Sequence, residues 1–366
     1  MRRVAVLAVL AASLLFATSC GEPVLSVTTA VSNLDHPWDI GFLPDRTMLV
    51  TERAGRLSRI VDGHAELIVA PSDVVAIGEA GMLGLAVDPF FTSNGFVFVC
   101  MASSLGAGGA PDVRLVRFTL SQDGAQVLAR NDVFTGLPFL DGSGRHSGCR
   151  PRFAPDGVLW VGTGDSATGT VPQDPLTFGG KVLRLRRSGR PVPSNPYGLP
   201  WYTRGHRNVQ GLAFRKSDGL AVSVEQGTDR DDEVNVLRFA GNGGWDPVPG
   251  YDESRPMTDF TKFPDAMRPI WASGYPTMAT SGATFLSGEQ WGTWNGALVI
   301  GTLKGHHLQV LLINGDGVVT GQRQVVSDRG RLRQPVQGRD GNLYVTTDNG
   351  GGNDVILKIT PSVADN

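Results

Sequence analysis

The sequence predicts an all-β chain folded as a six-bladed β-propeller with four-stranded antiparallel blades, and three observations lead there. One pattern of turn, strand, short polar stretch and second strand occurs six times. Each copy opens on Asp-Gly, Asn-Gly or a close relative ahead of an apolar-rich strand, a strong hairpin signal. No segment keeps a 3.6-residue apolar period, and 48 glycines and 23 prolines are spread through 366 residues as turns, well above the combined share of about 12% in average proteins.

The copies run in order along the chain. They are "LPDRTMLVTERAGRLSRI" (43–60), "VDPFFTSNGFVFVCMAS" (87–103) with "VRLVRFTL" (113–120), and "FAPDGVLWVGTGD" (153–165) with "GGKVLRLRR" (179–187). Then come "FRKSDGLAVSVEQG" (214–227) with "DEVNVLRF" (232–239), "WNGALVIGTLKGHHLQVLLI" (294–313) and "GRDGNLYVTTDNGGGNDVILKI" (338–359). Their turn residues Asp45, Asp88, Asp156, Asp218, Asn295 and Asp340 are spaced by 43, 68, 62, 77 and 45 residues. The shortest intervals match the length of a four-stranded blade, about 40–50 residues. Radial packing of blades shields most strand edges, which suits a chain of many short strands. The surplus residues of the longer intervals must lie in loops, where a rigid scaffold usually carries its function.

The N-terminus reads as an export signal. Arg2 and Arg3 precede the apolar run "VAVLAVLAASLLFA", and small residues lead to Cys20. That run is short and wrongly flanked for a membrane span. The ending resembles a bacterial lipobox, which makes residues 1–19 a signal peptide, Cys20 the lipidated mature N-terminus and residues 20–30 a short tether. The propeller then occupies 31–362, exported and held to the extracytoplasmic face of the cell membrane by the lipid alone. Beyond the signal, 31 basic and 35 acidic side chains remain. This balance points away from nucleic acid, and no other apolar run is long enough to cross a bilayer. Cys100 and Cys149 remain in the exported part, either as a disulfide or as two buried thiols.

Two long loops concentrate polar groups: "LDGSGRHSGC" before the third repeat, and "WYTRGHRNVQGLAF" leading to "EQGTDRDDEVN" in the fourth. Lys304, Arg331 and Arg333 follow later. In a propeller, corresponding blade ends converge on the axis, so residues distant in sequence can line one pocket. One imidazole beside Arg207, Lys304, Arg331 and Arg333 would make an anion trap for a ligand with several carboxylates. Burying four unpaired cations is costly, so a bound anion gives them a reason to meet. Spacing alone favours the other reading, four solvated surface charges. His36 and His64 lie at turns and need no functional reading. The neighbours His306 and His307 face opposite ways on a strand and make a poor metal pair.

The segments "LDHPWDIGFLPD", "GEAGMLGLAVDPFF", "HSGCRPRFAPDGVLWVGTGD", "GHRNVQGLAF", "EQGTDRDDEVN" and "GTLKG" together resemble the glucose/sorbosone dehydrogenase family of soluble, six-bladed, PQQ-dependent aldose dehydrogenases. The resemblance runs in the family's order from about residue 30 to 360. It implies an enzyme that oxidises an aldose to its lactone and passes electrons to an external acceptor. His146 matches the base that takes the proton of the anomeric hydroxyl, a role suited to imidazole, whose ordinary pKa is about 6.5. Arg207 matches an arginine that stabilises charge at the quinone oxygen. Asn208, Gln226 and Thr277 match further cofactor contacts, and Lys304, Arg331 and Arg333 match the clamp on the PQQ carboxylates. The carbonyls of Gly227 and Thr228 match the calcium ligands, oxygen donors of the kind Ca²⁺ takes. The acidic run Asp229, Asp231, Asp232 and Glu233 reads as a solvated turn, with support of that loop or a second calcium as the alternatives.

Departures from the family pattern fall on the substrate side. Arg145 stands where an acidic residue often precedes the base, and it cannot accept a hydrogen bond. Glu79 stands where glutamine is common, Tyr275 replaces tryptophan, and Thr228 replaces proline with only its carbonyl required. The pattern implies PQQ binding with an unusual or lost sugar preference. Two other functions fit a propeller of this kind. One is a non-enzymatic cell-surface module that binds a glycan or a protein partner. The other is a calcium-dependent sugar lactonase, which needs side-chain carboxylates around its metal. Within "HSGCRPRFAPDGVLWVGTGD", the part from Phe153 onward reads as blade structure with little functional content.

Overall fold

The computed structural model describes residues 21–362; the expected signal peptide and the lipidation site Cys20 lie outside the described residues. Six four-stranded antiparallel sheets account for nearly all regular structure, as the six-fold repeat predicts. Blade I is Pro37–Phe42, Met48–Glu52, Arg56–Val61 and His64–Val69; blade II is Met82–Val87, Phe96–Ser103, Asp112–Leu120 and Val127–Leu137. Blade III is Arg150–Phe153, Leu159–Gly162, Lys181–Leu185 and Trp201–Arg204; blade IV is Val209–Phe214, Ala221–Glu225, Glu233–Val236 and Trp271–Ala272. Blade V is Thr280–Phe285, Leu298–Thr302, Leu308–Ile313 and Val319–Val325. Blade VI joins Leu332–Gln337, Leu343–Thr347 and Asp354–Ser362 to the N-terminal strand Val24–Leu34.

That last pairing corrects the expected tether. Val24 lies opposite Ser362, Val27 opposite Ile359 and Leu34 opposite Asp354. Residues 24–30 are therefore the outermost strand of a blade, and the ring closes by joining the two ends of the chain. Alternation at the start of "VLSVTTAVSNL" carries the strand signal, since Leu25 and Val27 are partly buried while Val24, Ser26 and Thr28 are exposed.

The turn residues do what the repeat pattern requires. Asp45, Asp88, Asp156, Asp218 and Asp340 each accept, through Oδ1, the backbone N–H two residues on, at 2.9–3.2 Å. This local bond favours a turn over continued strand. Each turn joins the first strand of a blade to the second. They therefore share one face of the propeller, and the connections between blades open on the other.

Core residues separate into six clusters, one between each pair of adjacent blades. Phe98, Leu115, Leu159 and Leu183 pack between blades II and III, for instance, and Val224, Ala283, Leu298 and Ile300 between IV and V. Burying each such side chain contributes about 1.5–3 kcal/mol, so stability is distributed around the ring. Cys100 and Cys149 form a disulfide across the II–III cluster, closing that open question. The innermost strands need small residues where they meet. A Cβ at Gly84 would stand 2.6 Å from the Cys149 carbonyl oxygen, and one at Gly211 2.7 Å from that of Ser281.

The axis itself is ionic. Asp39, fully buried on the first strand of blade I, accepts from the Ile40 and Leu85 N–H groups and from the guanidiniums of Arg150 and Arg152. Arg150 Nε donates to the Gln210 carbonyl at 2.7 Å, so the cluster links blades I to IV. Burial alone would raise the Asp39 pKa, but Arg152 and Arg150 outweigh it and hold the carboxyl below its usual range. Its stabilising share is therefore present above the unfolded carboxyl pKa of about 3.9 and lost as pH falls through the lower folded value. Asp39→Asn leaves two cations without their counter-charge and is expected to cost about 3–5 kcal/mol in denaturant unfolding near neutral pH. The gap to wild type should narrow in acid.

Candidate functional site

Every residue proposed from sequence for the site lies on the face opposite the aspartate turns, in a loop between blades, in a second-to-third strand connection, or at the start of an inner strand. His146 ends the loop entering blade III, and Arg207 and Asn208 end the loop entering blade IV. Gln226, Gly227 and Thr228 follow the second strand of blade IV, Lys304 follows the second strand of blade V, and Arg331 and Arg333 open blade VI. Strand geometry thus converts dispersed sequence positions into one surface around the axis.

His146 is buried at 3% exposure and held in the left-handed backbone region, φ +53°. Such a conformation costs a non-glycine residue about 1–3 kcal/mol and persists only where its surroundings impose it. Here three contacts do so. Glu79 Oε2 accepts the His146 backbone N–H at 2.9 Å, Asp165 Oδ1 lies 2.8 Å from Nδ1, and the Tyr251 hydroxyl lies 3.1 Å from the same nitrogen. Asp165 in turn accepts from Tyr251 Oη and Trp245 Nε1 through Oδ2, both at 2.8 Å. Burial and the Asp165 charge push the Tyr251 phenol well above its usual pKa, so it stays a donor. A carboxylate at Nδ1 favours the tautomer with its proton there and leaves Nε2 as the acceptor.

Asp165 closes "VGTGD", which the sequence reading set aside as blade structure; this is a correction. The aspartate sits one residue past the isolated bridge between Gly164 and Asn208, and a local turn pattern cannot show that its side chain faces a histidine from another connection. Tyr251, Glu253 and Trp245 were missed as well. They belong to the long segment inside the 77-residue interval between Asp218 and Asn295, so the interval length was the available signal.

The three arginines are not unpaired, which corrects the expectation of an uncompensated trap. Asp348 accepts from Arg333 at 2.7 Å and from Arg331 at 3.3 Å, and it lies 2.7 Å from His36 Nδ1. Burial would raise its pKa, but Arg333, His36 and Arg331 together hold it well below the usual carboxylate range. Arg207 donates to Glu253 Oε1 at 2.7 Å and to the Gln226 carbonyl at 3.1 Å. Arg145 reaches the same Glu253 oxygen at 2.5 Å. A cavity of about 390 Å³ brings together Glu79, Gln226, Arg331 and Arg333 with His36 and Trp38. His36 is therefore part of the site, against the turn-only reading. The guanidinium carbons of Arg150 and Arg333 lie 4.0 and 5.1 Å from the Trp38 ring centre, a cation–π floor.

Several predicted residues stand apart from that cavity's lining, among them His146, Arg145, Arg207 and Asn208. Tyr275 is 75% exposed, Lys304 is exposed, and Thr277 is buried with its N–H on the Asp229 carbonyl at 2.9 Å. His307 bonds the Gly305 carbonyl through Nδ1 while His306 is exposed, so the two form no metal pair.

The acidic run also departs from a solvated turn. Asp229 is exposed, but Asp232 and Glu233 are buried. Asp232 accepts the Gly227 N–H at 2.9 Å and the Met278 N–H at 2.7 Å, tying the two loops together. A Cβ at Gly227 would stand 2.1 Å from the Arg230 carbonyl oxygen, so this turn requires glycine. Glu225 lies opposite Glu233 across two strands of blade IV. It accepts the Arg207 N–H and lies 2.9 Å from His206 Nδ1, so it pins the backbone of Arg207.

The unsatisfied groups fit an anionic ligand that also brings hydrogen-bonding atoms of its own. Arg207 Nε, Arg333 Nε and both side-chain polar atoms of Asn208 are buried without partners, an unusual concentration given that buried polar groups are normally satisfied. Among the described residues no three His, Cys, Asp or Glu side chains are grouped to hold a metal. A cation at the Gly227–Thr228 loop would rest on backbone carbonyls and on the ligand itself, a donor class Ca²⁺ accepts.

Comparison with known proteins finds relatives over nearly the whole described chain. A model of the Glucose / Sorbosone dehydrogenase family matches residues 34–358. The aldose sugar dehydrogenase YliI of Escherichia coli K12 is 31% identical over 355 residues, covering 92% of this chain and 93% of that protein. The PQQ-bound form of aldose sugar dehydrogenase from Streptomyces coelicolor is 28% identical, with a TM-score of 0.78 over 93% of this chain and 100% of that one. The apo-form of the soluble aldose sugar dehydrogenase from Escherichia coli is 27% identical, with a TM-score of 0.81 over 92% and 100%.

Burial, and then the neighbouring Glu225, push the Glu233 pKa upward. A raised folded pKa contributes stability that is complete below the unfolded value and lost as pH rises through the folded one. Glu233→Gln is expected to remove this loss, flattening the fall in melting temperature from about pH 4.5 toward neutrality.

Proposed function

The chain belongs to the glucose/sorbosone dehydrogenase family, and from that premise we propose that it oxidises an aldose to its lactone with PQQ and Ca²⁺. The observation that carries this reading is the buried His146–Asp165 pair on the same face as Arg207, Arg331 and Arg333. PQQ, when bound, supplies the two-electron acceptor, and Ca²⁺ polarises it. Arg331, Arg333 and Lys304 would hold its carboxylates, with Asn208, Gln226 and Thr277 as polar contacts and the Gly227 and Thr228 carbonyls on the metal.

The chain's own residues then do three things. Asp165 keeps the Nδ1 proton in place and stabilises the imidazolium as it forms. His146 Nε2 takes the proton from the anomeric hydroxyl as the C–H bond to the same carbon breaks. Arg207 presents a fixed positive charge to the oxygen where negative charge develops, and its pinned backbone means that little reorganisation is needed. The alternatives are less well supported. A lactonase needs carboxylates around its metal, whereas the Gly227 loop offers carbonyls. A purely binding propeller has no use for an imidazole oriented by a carboxylate.

We also place the protein outside the cytoplasm, anchored by a lipid at Cys20 and delivering electrons to an external acceptor. The Cys100–Cys149 disulfide supports that compartment, and no helix among the described residues is long and apolar enough to cross a membrane.

Purified protein reconstituted with PQQ and Ca²⁺ is expected to reduce a redox dye when given aldoses. No dye reduction over an aldose panel, together with no PQQ binding by calorimetry, would overturn the proposal. His146→Ala should abolish turnover while leaving PQQ affinity within a few fold. Asp165→Asn should lower kcat by about 10²-fold or more through loss of the tautomer.

A further inference from the structure

Arg145 and Arg207 come from loops entering different blades, yet both guanidiniums converge on one oxygen, Glu253 Oε1, at 2.5 and 2.7 Å. Glu253 is anchored there by its own segment. Two residues earlier, Tyr251 bonds Asp165 and lies 3.1 Å from His146 Nδ1, and Trp245 at the start of the segment also donates to Asp165. The Arg145 guanidinium carbon lies 5.9 Å from the Tyr251 ring centre. The carboxylate thus stands between the histidine's chain neighbour and the arginine assigned to the cofactor. Its side chain is 40% exposed, so an incoming molecule can reach it. Burial would raise its pKa, but Arg207 and Arg145 hold it below the ordinary range, and it stays ionised at neutral pH.

Two guanidiniums around one carboxylate oxygen make a carboxylate receptor. In this fold the receptor is filled from within. We propose that Glu253 determines specificity, reserving the pocket for neutral aldoses and rejecting sugar acids. This inference rests on the aldose-oxidising reading above. A neutral sugar finds in Glu253 an ionised acceptor for its hydroxyls. A uronate brings a second negative charge to the same place and must displace a tethered carboxylate already held by two cations, one of them nearly buried. Removing the Glu253 charge reverses this, because Arg145 then lacks its ion-pair partner and can take the carboxylate of a substrate.

The test compares kcat/KM for glucose and glucuronate in the PQQ- and Ca²⁺-loaded protein as wild type, Glu253→Gln, and Glu253→Gln with Arg145→Gln. Wild type is expected to favour glucose. Glu253→Gln should shift the ratio toward glucuronate by about tenfold or more, mostly through KM, as one charge-assisted hydrogen bond would. Adding Arg145→Gln should take that gain away. Calorimetric titration of glucuronate into cofactor-free protein gives a second readout, with tighter binding expected in Glu253→Gln, and Glu253→Ser serves if the glutamine variant fails to fold. Active wild type with an unchanged ratio in the variants overturns the role of Glu253 and leaves the aldose reading standing. A wild type that oxidises no aldose and binds no PQQ overturns both.

Discussion

One buried carboxylate on the axis, Asp39, carries the geometry of this propeller. It receives two backbone N–H groups and two guanidiniums, from blades I, II and III, and Arg150 extends the link to blade IV. Apolar packing between blades is broad and tolerant, since each cluster can adjust by small shifts. An ionic centre with fixed directions cannot, because any partner that withdraws leaves a buried charge. The centre therefore sets how the inner strands of these blades approach one another. It also fixes the floor of the site, where Arg150 and Arg333 flank Trp38.

Above that floor, the site follows a second rule: His146 and the four arginines around it are each oriented by a carboxylate from another connection. Asp165 holds His146, Asp348 holds Arg331 and Arg333, Glu253 holds Arg207 and Arg145, and Glu225 pins the Arg207 backbone. A cluster of bare cations would repel itself and splay. Paired in this way, the groups stay in place at low dielectric, and an anionic ligand exchanges partners with them instead of neutralising free charge. Its affinity then reflects the difference between two sets of ion pairs, which makes recognition sensitive to shape and less dependent on total charge.

Much of this was legible in the sequence. The repeated turn residues announced six hairpins, because in five of them an aspartate bonds the N–H two residues on, a local device with a local signature. His146, Arg207, Arg331 and Arg333 were likewise visible as polar residues at blade entrances, and the long fourth interval marked where extra structure would lie. The strand Val24–Leu34 was read as part tether because its partner, Asp354–Ser362, is at the other end of the chain, and pairing across such a distance leaves no short-range trace.

The chain by itself determined the number of blades and the face on which its loops open, since both follow from turn chemistry and periodicity, while the groups delivered there were named by the family resemblance. Tertiary structure alone decided which carboxylate meets which base. Asp165 looks like the end of a strand until it is found 2.8 Å from His146, and Glu253 looks like one acid in a polar loop until two arginines close on it. The reason is physical. A turn is specified by neighbours a few residues apart, whereas an ion pair across the axis depends on how six separately specified blades are packed, and no local pattern encodes that distance.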